Sequence, residues 1–375
     1  MHVFIVSIIG QSLMHLLLGT LIWLSTEKGS RLRRITIDVI ITLYIIFLGG
    51  WCFRGLLGYE TLANMLVILN SYYIFLVIWL SYTLIPILSI FILEWTKVLQ
   101  KAKAKYYRRI TLITLIPITI ILCIIGHHNT THPIVNEYDI VLDHKGPEKD
   151  LKIAFVSDVH IGEFIREKQI KQMVGMIKAE DPDYIFFGGD MLDYYFSFIE
   201  KQPAITKMLK ELLPDRGKVF YVLGNHEYYA DTQKKIEWMK EIGTLMINDA
   251  VQIEDSLYLV TRDDATQDPR PPLQQIMQKV PQGSTTILLE HQPATTKESQ
   301  ENGIDLALHG HTHNGQFIPF NWVVALRFPK SFGWYKEGDT QYVVSSGYGI
   351  AGSTFRIGTR SEIVIINLKL RNQSH

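Results

Sequence analysis

Only two cysteines occur in 375 residues, Cys52 and Cys123. Both sit inside apolar runs, so the rest of the chain has neither a disulfide framework nor a thiolate metal site. An excess of charge of either sign is also missing: 37 Lys and Arg against 37 Asp and Glu give a formal net charge of zero. A dedicated nucleic-acid binder carries a basic excess or stripe, so that class is set aside and no nucleic-acid partner is expected.

What the chain has in abundance is apolar character, 47% of its residues, and it is concentrated in one half. Residues 1–126 carry long apolar runs separated by short polar segments, whereas residues 135–375 alternate apolar strands with charged helices and turns. The runs at 3–24, 35–57, 64–95 and 109–126 each reach or approach the roughly 20 apolar residues that cross a bilayer as a helix. They predict an N-terminal transmembrane region, 1–126, of about four helices. The third run has no polar turn, so Pro86 is expected to kink one tilted helix rather than end it. No Lys or Arg precedes the first run and no small-residue cleavage site follows it, so it reads as a span rather than a removed signal. The spans also lack paired buried charges that would mark a transport route, and Asp38, Arg54 and Glu94 are expected to snorkel to the interface.

Short loops rich in Lys and Arg stay in the cytoplasm. Lys28, Arg31, Arg33 and Arg34 fill the first connection, and Lys97, Lys101, Lys103, Lys105, Arg108 and Arg109 the third. Both are therefore expected inside, the Gly58–Thr61 link outside, and everything after Gly126 outside the cytoplasm. Residues 127–150 read as a linker and edge strand, and 151–370 as a soluble α/β domain.

In that domain, apolar strands repeatedly end on chemistry. The strand Leu151–Ser157 runs into Asp158 and His160, which strand periodicity can point to one side. The helical segment Glu167–Glu180 and the strand Tyr184–Phe187 lead to Gly188-Gly189-Asp190, where glycine lets backbone approach a ligand. The strand Lys218–Leu223 runs into Gly224-Asn225-His226-Glu227, Thr286–Leu289 ends at His291, and Asp305–Leu308 ends at His309-Gly310-His311-Thr312-His313. In open α/β sheets ligands bind beyond the carboxyl ends of the strands, so these residues are expected to converge.

The ensemble Asp-x-His, Gly-Gly-Asp, Gly-Asn-His-Glu, His, Gly-His-x-His over residues 151–313 resembles the calcineurin-like metallophosphoesterase superfamily. Within it the chain looks like the membrane-attached bacterial YkuE/YaeI-like group, through Gly310–Gln316, Gly347-Tyr348-Gly349 and Arg356-Ile357-Gly358. Asn314 and Glu227 replace the Gly and Asp common there. The resemblance implies two mixed β-sheets flanked by helices, an αββα sandwich. It also implies that Asp158, His160 and His313 hold one metal, that Asn225, His291 and His311 hold the other, and that Asp190 bridges them. His226 would be the leaving-group acid or a phosphoryl-oxygen donor, with Glu227 orienting it. Mixed oxygen and nitrogen donors suit Mn, Fe or Zn better than Mg or Ca.

The expected reaction is hydrolysis of a phosphomonoester, phosphodiester or pyrophosphate by a metal-bridged hydroxide. The expected setting is a bacterial inner or plasma membrane, with the lipid bilayer as partner and an amphiphilic or lipid-linked substrate as the leading expectation. The rival is a non-catalytic metal-binding membrane receptor or assembly module. His309 is expected to pack or to sit behind the ligands, Asp193 to be a turn or cap residue rather than a ligand, and Asp263 and Asp264 to lie behind the site. Arg356 and Arg360 read either as a phosphate clamp or as surface charge. The aromatic and basic stretch Asn321–Tyr335 either packs under the second sheet or lies in a membrane interface.

Overall fold

The structure is a computed structural model that describes residues 2–52, 59–213, 218–294 and 296–372. Arg54, Gly58 and the end of the 35–57 run lie outside them. The chain divides into two compact units, Met1–His127 with Ser353–Phe355, and His128–Gly352 with Arg356–His375.

Four helices come first: α1 (His2–Ser25), α2 (Arg31–Cys52), α3 (Tyr59–Trp95) and α4 (Lys101–Thr131). Pro86 lies inside α3, which continues through it as one helix. One lost backbone donor does not stop a run that is apolar on both sides. The segments Asn64–Trp95 and Lys101–Thr131 are long and apolar enough to cross a membrane, and α1 carries a shorter apolar stretch, Ile9–Ser25. Among the described residues two helices, rather than four, therefore meet the requirements of a span. Leu18, Ile22, Ile40, Leu76, Leu80 and Leu112 pack the helices together. One expectation is corrected here. A charge pair does exist, because Arg108 is 3% exposed and meets Glu94 at 2.5 Å.

In the second unit, β1 (Ile134–Asp143), β2 (Lys149–Val156), β3 (Tyr184–Phe187), β4 (Val219–Tyr221) and β5 (Thr244–Leu245) belong to one sheet. The other contains β6 (Asp249–Glu254), β7 (Leu257–Thr261), β8 (Thr285–Leu289), β9 (Leu306–His309), β10 (Gly333–Glu337) and β11 (Thr340–Val344), while β12 (Glu362–Arg371) returns to the first. The orders are β1-β12-β2-β3-β4-β5 and β10-β11-β9-β8-β7-β6. Strands β2 to β5 run parallel, as do β7, β8, β9 and β11, whereas β12 is antiparallel to β2 and β10 to β11. Both sheets are thus mixed.

Alternation along the strands builds the layers. Ile153, Phe155 and Phe186 point inward and meet Leu259, Ile287 and Leu308 between the sheets. Their neighbours Ala154, Val156 and Phe187 point outward, onto α5 (Glu167–Glu180), α6 (Ser197–Lys201), α7 (Pro203–Lys210) and α8 (Thr232–Glu241). On the far side Val260, Leu288 and Tyr342 pack with α9 (Leu273–Met277). Two short helices complete the unit, α10 (Thr296–Glu301) and α11 (Phe320–Arg327). Helix, sheet, sheet, helix is the αββα order that the family resemblance implied.

Candidate metal centre

Each parallel strand that ends on a polar motif delivers it to one cluster. Asp158 and His160 follow β2, Asp190 follows β3, Asn225 and His226 follow β4, His291 follows β8, and His311 and His313 follow β9. The ligating atoms of Asp158, His160 and His313 lie within 4.8 Å of one another, and so do those of Asp190, His291 and His311. Asn225 joins the second group through its Oδ1, 2.9 Å from His311 Nδ1. The two groups adjoin, with His160 Nε2 3.7 Å from Asp190 Oδ2 and His291 Nε2 3.9 Å from Asp158 Oδ1.

The backbone is bent to make this meeting possible. Asp158, His160, Asp190, His311 and His313 all have positive φ, between 47° and 69°. For residues with a Cβ such a conformation costs on the order of 1–3 kcal/mol and persists where the surroundings enforce it, most often at functional sites. Close approach has the same effect. A Cβ on Gly224 would lie 2.2 Å from Asp190 Oδ1, and one on Gly310 would lie 2.3 Å from Asp158 Oδ2.

The donor set fits a cation. His160 Nε2 and His313 Nε2 face each other at 3.0 Å, with Asp158 Oδ1 3.3 Å from the latter. Two imidazole nitrogens and a carboxylate converge there with room for at most one proton between the rings. In the second group, His291 Nδ1 lies 2.7 Å from Gly188 O, which leaves Nε2 aimed at Asp190 Oδ2, 3.1 Å away. Burial alone would pull the His291 imidazole down, but Asp190 and Asp158 outweigh it and hold the pKa well above the ordinary value. Imidazole nitrogens and carboxylate oxygens that converge this closely in a buried site mark the place a metal ion would take.

His226 stands beside these groups without joining either. Its Nδ1 is 2.9 Å from Asp193 Oδ1 and its Nε2 is 4.0 Å from Asp190 Oδ2. Burial lowers its pKa, but Asp190 and Asp193 more than offset that and raise it above the usual imidazole value. Asp193 is therefore not merely a turn residue, which is a correction to the sequence reading. Glu227 is a second correction, for it does not reach the His226 ring. Its carboxylate accepts from the backbone N–H of Asp190, Gly224 and Leu192, at 2.9, 2.8 and 3.1 Å. It staples two ligand loops together, and burial followed by the Asp190 charge pushes its pKa up to about 7.

The sequence reading missed the tyrosines around His226. Tyr194 and Tyr229 stack at 5.5 Å, and their rings lie 5.4 and 4.6 Å from His226. The Asn225 amide donates to the Tyr229 hydroxyl at 2.6 Å, which turns its oxygen toward His311. The signals in the sequence were two aromatic runs, Tyr194-Tyr195-Phe196 after Gly-Gly-Asp and Tyr228-Tyr229 after Gly-Asn-His-Glu. Asp264 accepts from Gln292 and Asp263 from Tyr228, so both brace loops behind the site. His309 is fully buried beside Glu290 O at 2.8 Å, and burial takes its pKa down to about 4.

Arg356 is neither a phosphate clamp nor surface charge. It is fully buried and donates to the carbonyls of Ser346, Gly347 and Gly349, tying down the loop beside His313. Arg360 donates instead to His132 O.

A cluster of Asp, His and Asn donors across the strand ends of an αββα sandwich defines a metal-dependent phosphoesterase. Comparison with known proteins gives the family. The family model described as calcineurin-like phosphoesterase matches residues 151–315. A Helicobacter pylori (strain J99) protein named uncharacterized metallophosphoesterase is 32% identical over 254 residues, 66% of this chain and 67% of that one. The zebrafish (Danio rerio) transmembrane protein with metallophosphoesterase domain is 31% identical over 290 residues, covering 72% of this chain and 65% of that one. Bacillus subtilis YkuE, also named an uncharacterized metallophosphoesterase, is 26% identical over 235 residues, 59% of this chain and 80% of its own. The chain belongs to the calcineurin-like metallophosphoesterase family.

Proposed function

We propose that this protein is a membrane-anchored, binuclear metal-dependent phosphoesterase that works outside the cytoplasm on an amphiphilic or lipid-linked phosphate ester or anhydride. The observation that carries the reading is the pair of adjoining donor groups. Asp158, His160 and His313 would hold one divalent ion, and Asn225, His291 and His311 the other, with Asp190 shared. Mn, Fe or Zn suits such donors. The bound ions supply positive charge beside the phosphoryl oxygens and lower the pKa of water.

The chain's own side chains do the rest. His226, held by Asp193, would offer an Nε2 proton to the departing oxygen. Tyr194 and Tyr229 pack beside its ring, and Glu227 keeps the Asp190 and Asn225 loops in register.

The membrane setting rests on residues 1–126, followed by the segment 127–150 and the catalytic domain 151–370. Lys28 and Arg33 of the first basic connection line the same cavity as Lys101, Lys105 and Arg108 of the third. That supports placing both connections on one side, in the cytoplasm, with the catalytic domain on the other. An amphiphilic substrate is favoured by α11, which follows the His311–His313 loop directly and has no buried residue. Trp322, Val323 and Leu326 are 66%, 53% and 86% exposed, and Arg327 closes the helix. An apolar helix with aromatic and basic ends suits the headgroup layer. Phe328, just past it, meets the His311 ring edge-on at 5.5 Å.

The test is metal-dependent hydrolysis by the full chain in detergent, with aryl phosphomonoesters, aryl phosphodiesters, nucleotides and phospholipids as substrates. Turnover of an amphiphilic member with Mn, Fe or Zn is expected. No turnover of any member would overturn the enzymatic reading.

A further inference from the structure

The polar end of the helical unit holds a site of its own. The end of α1, the turn after it, the start of α2, the end of α3 and the start of α4 line a cavity of about 530 Å³. Its charged lining is Lys28, Arg33, Lys101, Lys105 and Arg108 against the single carboxylate of Glu94. Glu94 is already engaged by Arg108, at 2.5 Å. The other four cations have no carboxylate in the cavity to answer them. Trp23, Phe91 and Trp95 supply its apolar wall.

Membrane orientation requires Lys and Arg on one side of the bilayer, but it does not require them to surround a cavity or to be buried beneath it. Arg108 is 3% exposed, its guanidinium lies 4.4 Å above the Phe91 ring, and its Nε has no hydrogen-bond partner. Arg33 lies over Trp23 at 5.2 Å, donates from Nε to Thr26 Oγ1 and from Nη2 to the carbonyls of Trp23 and Thr26, and so holds the tryptophan in place. The ammonium groups of Lys28, Lys101 and Lys105, with the guanidinium charge of Arg33 and Arg108 beside them, suit a phosphate.

Trp23 also lines a second cavity, about 600 Å³, between α1 and α2. Leu16, Gly19, Ile37, Ile40 and Ile41 make its walls apolar, and Ser12, His15 and Tyr44 lie at its far end. From Ser12 to Trp23 the helix rises about 16 Å at 1.5 Å per residue, about half of the ~30 Å hydrocarbon core. That is the depth of one leaflet. A basic pocket at the interface that shares a wall with an apolar groove one leaflet deep has the two halves of a lipid site.

We propose that these two cavities bind one anionic glycerophospholipid, with its phosphate among Lys28, Arg33, Lys101, Lys105 and Arg108 and an acyl chain along Gly19. The site is separate from the metal centre and rests on the reading that the helices lie in a bilayer. A soluble phosphate would use the basic pocket alone, whereas the lipid uses both.

Native mass spectrometry of the full chain released from detergent, titrated with phosphatidylglycerol, phosphatidylcholine or inorganic phosphate, tests this. Phosphatidylglycerol should bind about tenfold more tightly than phosphatidylcholine, the effect of about 1.4 kcal/mol of charge recognition. The double variant Lys101→Gln/Lys105→Gln should remove that preference, and Lys103→Gln, outside the lining, should keep it. A Cβ at Gly19 meets nothing within 4 Å, so Gly19→Leu should fill the groove without disturbing the helix and weaken phosphatidylglycerol alone. Equal binding of both lipids, displacement of the lipid by inorganic phosphate, or an unaffected double variant overturns the proposal. A chain that alkaline carbonate washes out of membranes overturns the bilayer reading with it; a chain that stays in but shows no lipid preference overturns this proposal alone.

Discussion

Asp193 holds the His226 ring from behind at 2.9 Å, so changing it loosens the ring while leaving all seven strand-end donors in place. Asp193→Asn should keep its metal content and lower kcat about tenfold with KM little changed, and His226→Ala should lower kcat about a hundredfold, the scale of a positioned proton donor. Metal analysis beside steady-state kinetics checks both. Loss of an ion from Asp193→Asn would instead make Asp193 a ligand, since it also forms a compact group with His160 and His226. That the seven residues would converge was legible because they follow apolar runs that end on one side of the sheets, whereas their assignment as metal ligands came from the family resemblance. The place of Asp193 was not legible, because it depends on the chain folding back after Asp190. That fold is secured by Asp193 N–H bonding to Ile161 O and by the bridge between Ile161 and Leu192. Glu227 was misread because the role carried over from the family resemblance placed it on His226, whereas its carboxylate turns back to the N–H groups of Asp190, Leu192 and Gly224.

The strands β2, β3, β8 and β9 were legible as apolar runs that end on polar motifs, while the facing of two sheets came from the family resemblance rather than from pattern. The stretch Asn321–Tyr335 was not legible, because it mixes two environments. Its second part enters the sheet edge as β10, with Trp334 paired to Val343, while its first part is the exposed α11. An exposed apolar helix and a buried one have the same composition, so pattern alone could not separate them. If α11 dips into headgroups, Trp322→Ser with Leu326→Ser should cost about tenfold in kcat/KM on an amphiphilic phosphoester, a modest share of the burial of two large side chains. Hydrolysis of a small water-soluble aryl phosphoester should stay within about twofold of wild type. Equal loss on both substrates would return α11 to a purely structural role.

Across the whole molecule, the division into an apolar helical half and an α/β half could be read from composition, but the number of spans could not. Charges at the start of α2 and at the α3–α4 turn blur where lipid would begin. The proposed orientation is checked by labelling. A single cysteine placed on the surface of the catalytic domain should react with an impermeant maleimide in intact or outer-membrane-permeabilised cells, and one at residues 99–106 should not. The reverse pattern would put the metal centre in the cytoplasm.

The central claim is that two adjoining donor groups hold two catalytic ions through a shared Asp190. Counting divalent transition metal per purified full-length chain, with hydrolysis of an aryl phosphoester measured on the same sample, tests it most directly. The wild type should carry about two ions, and Asp190→Asn should lose both together with activity. Full activity with about one ion per chain, or an Asp190→Asn protein that keeps both, would contradict the account.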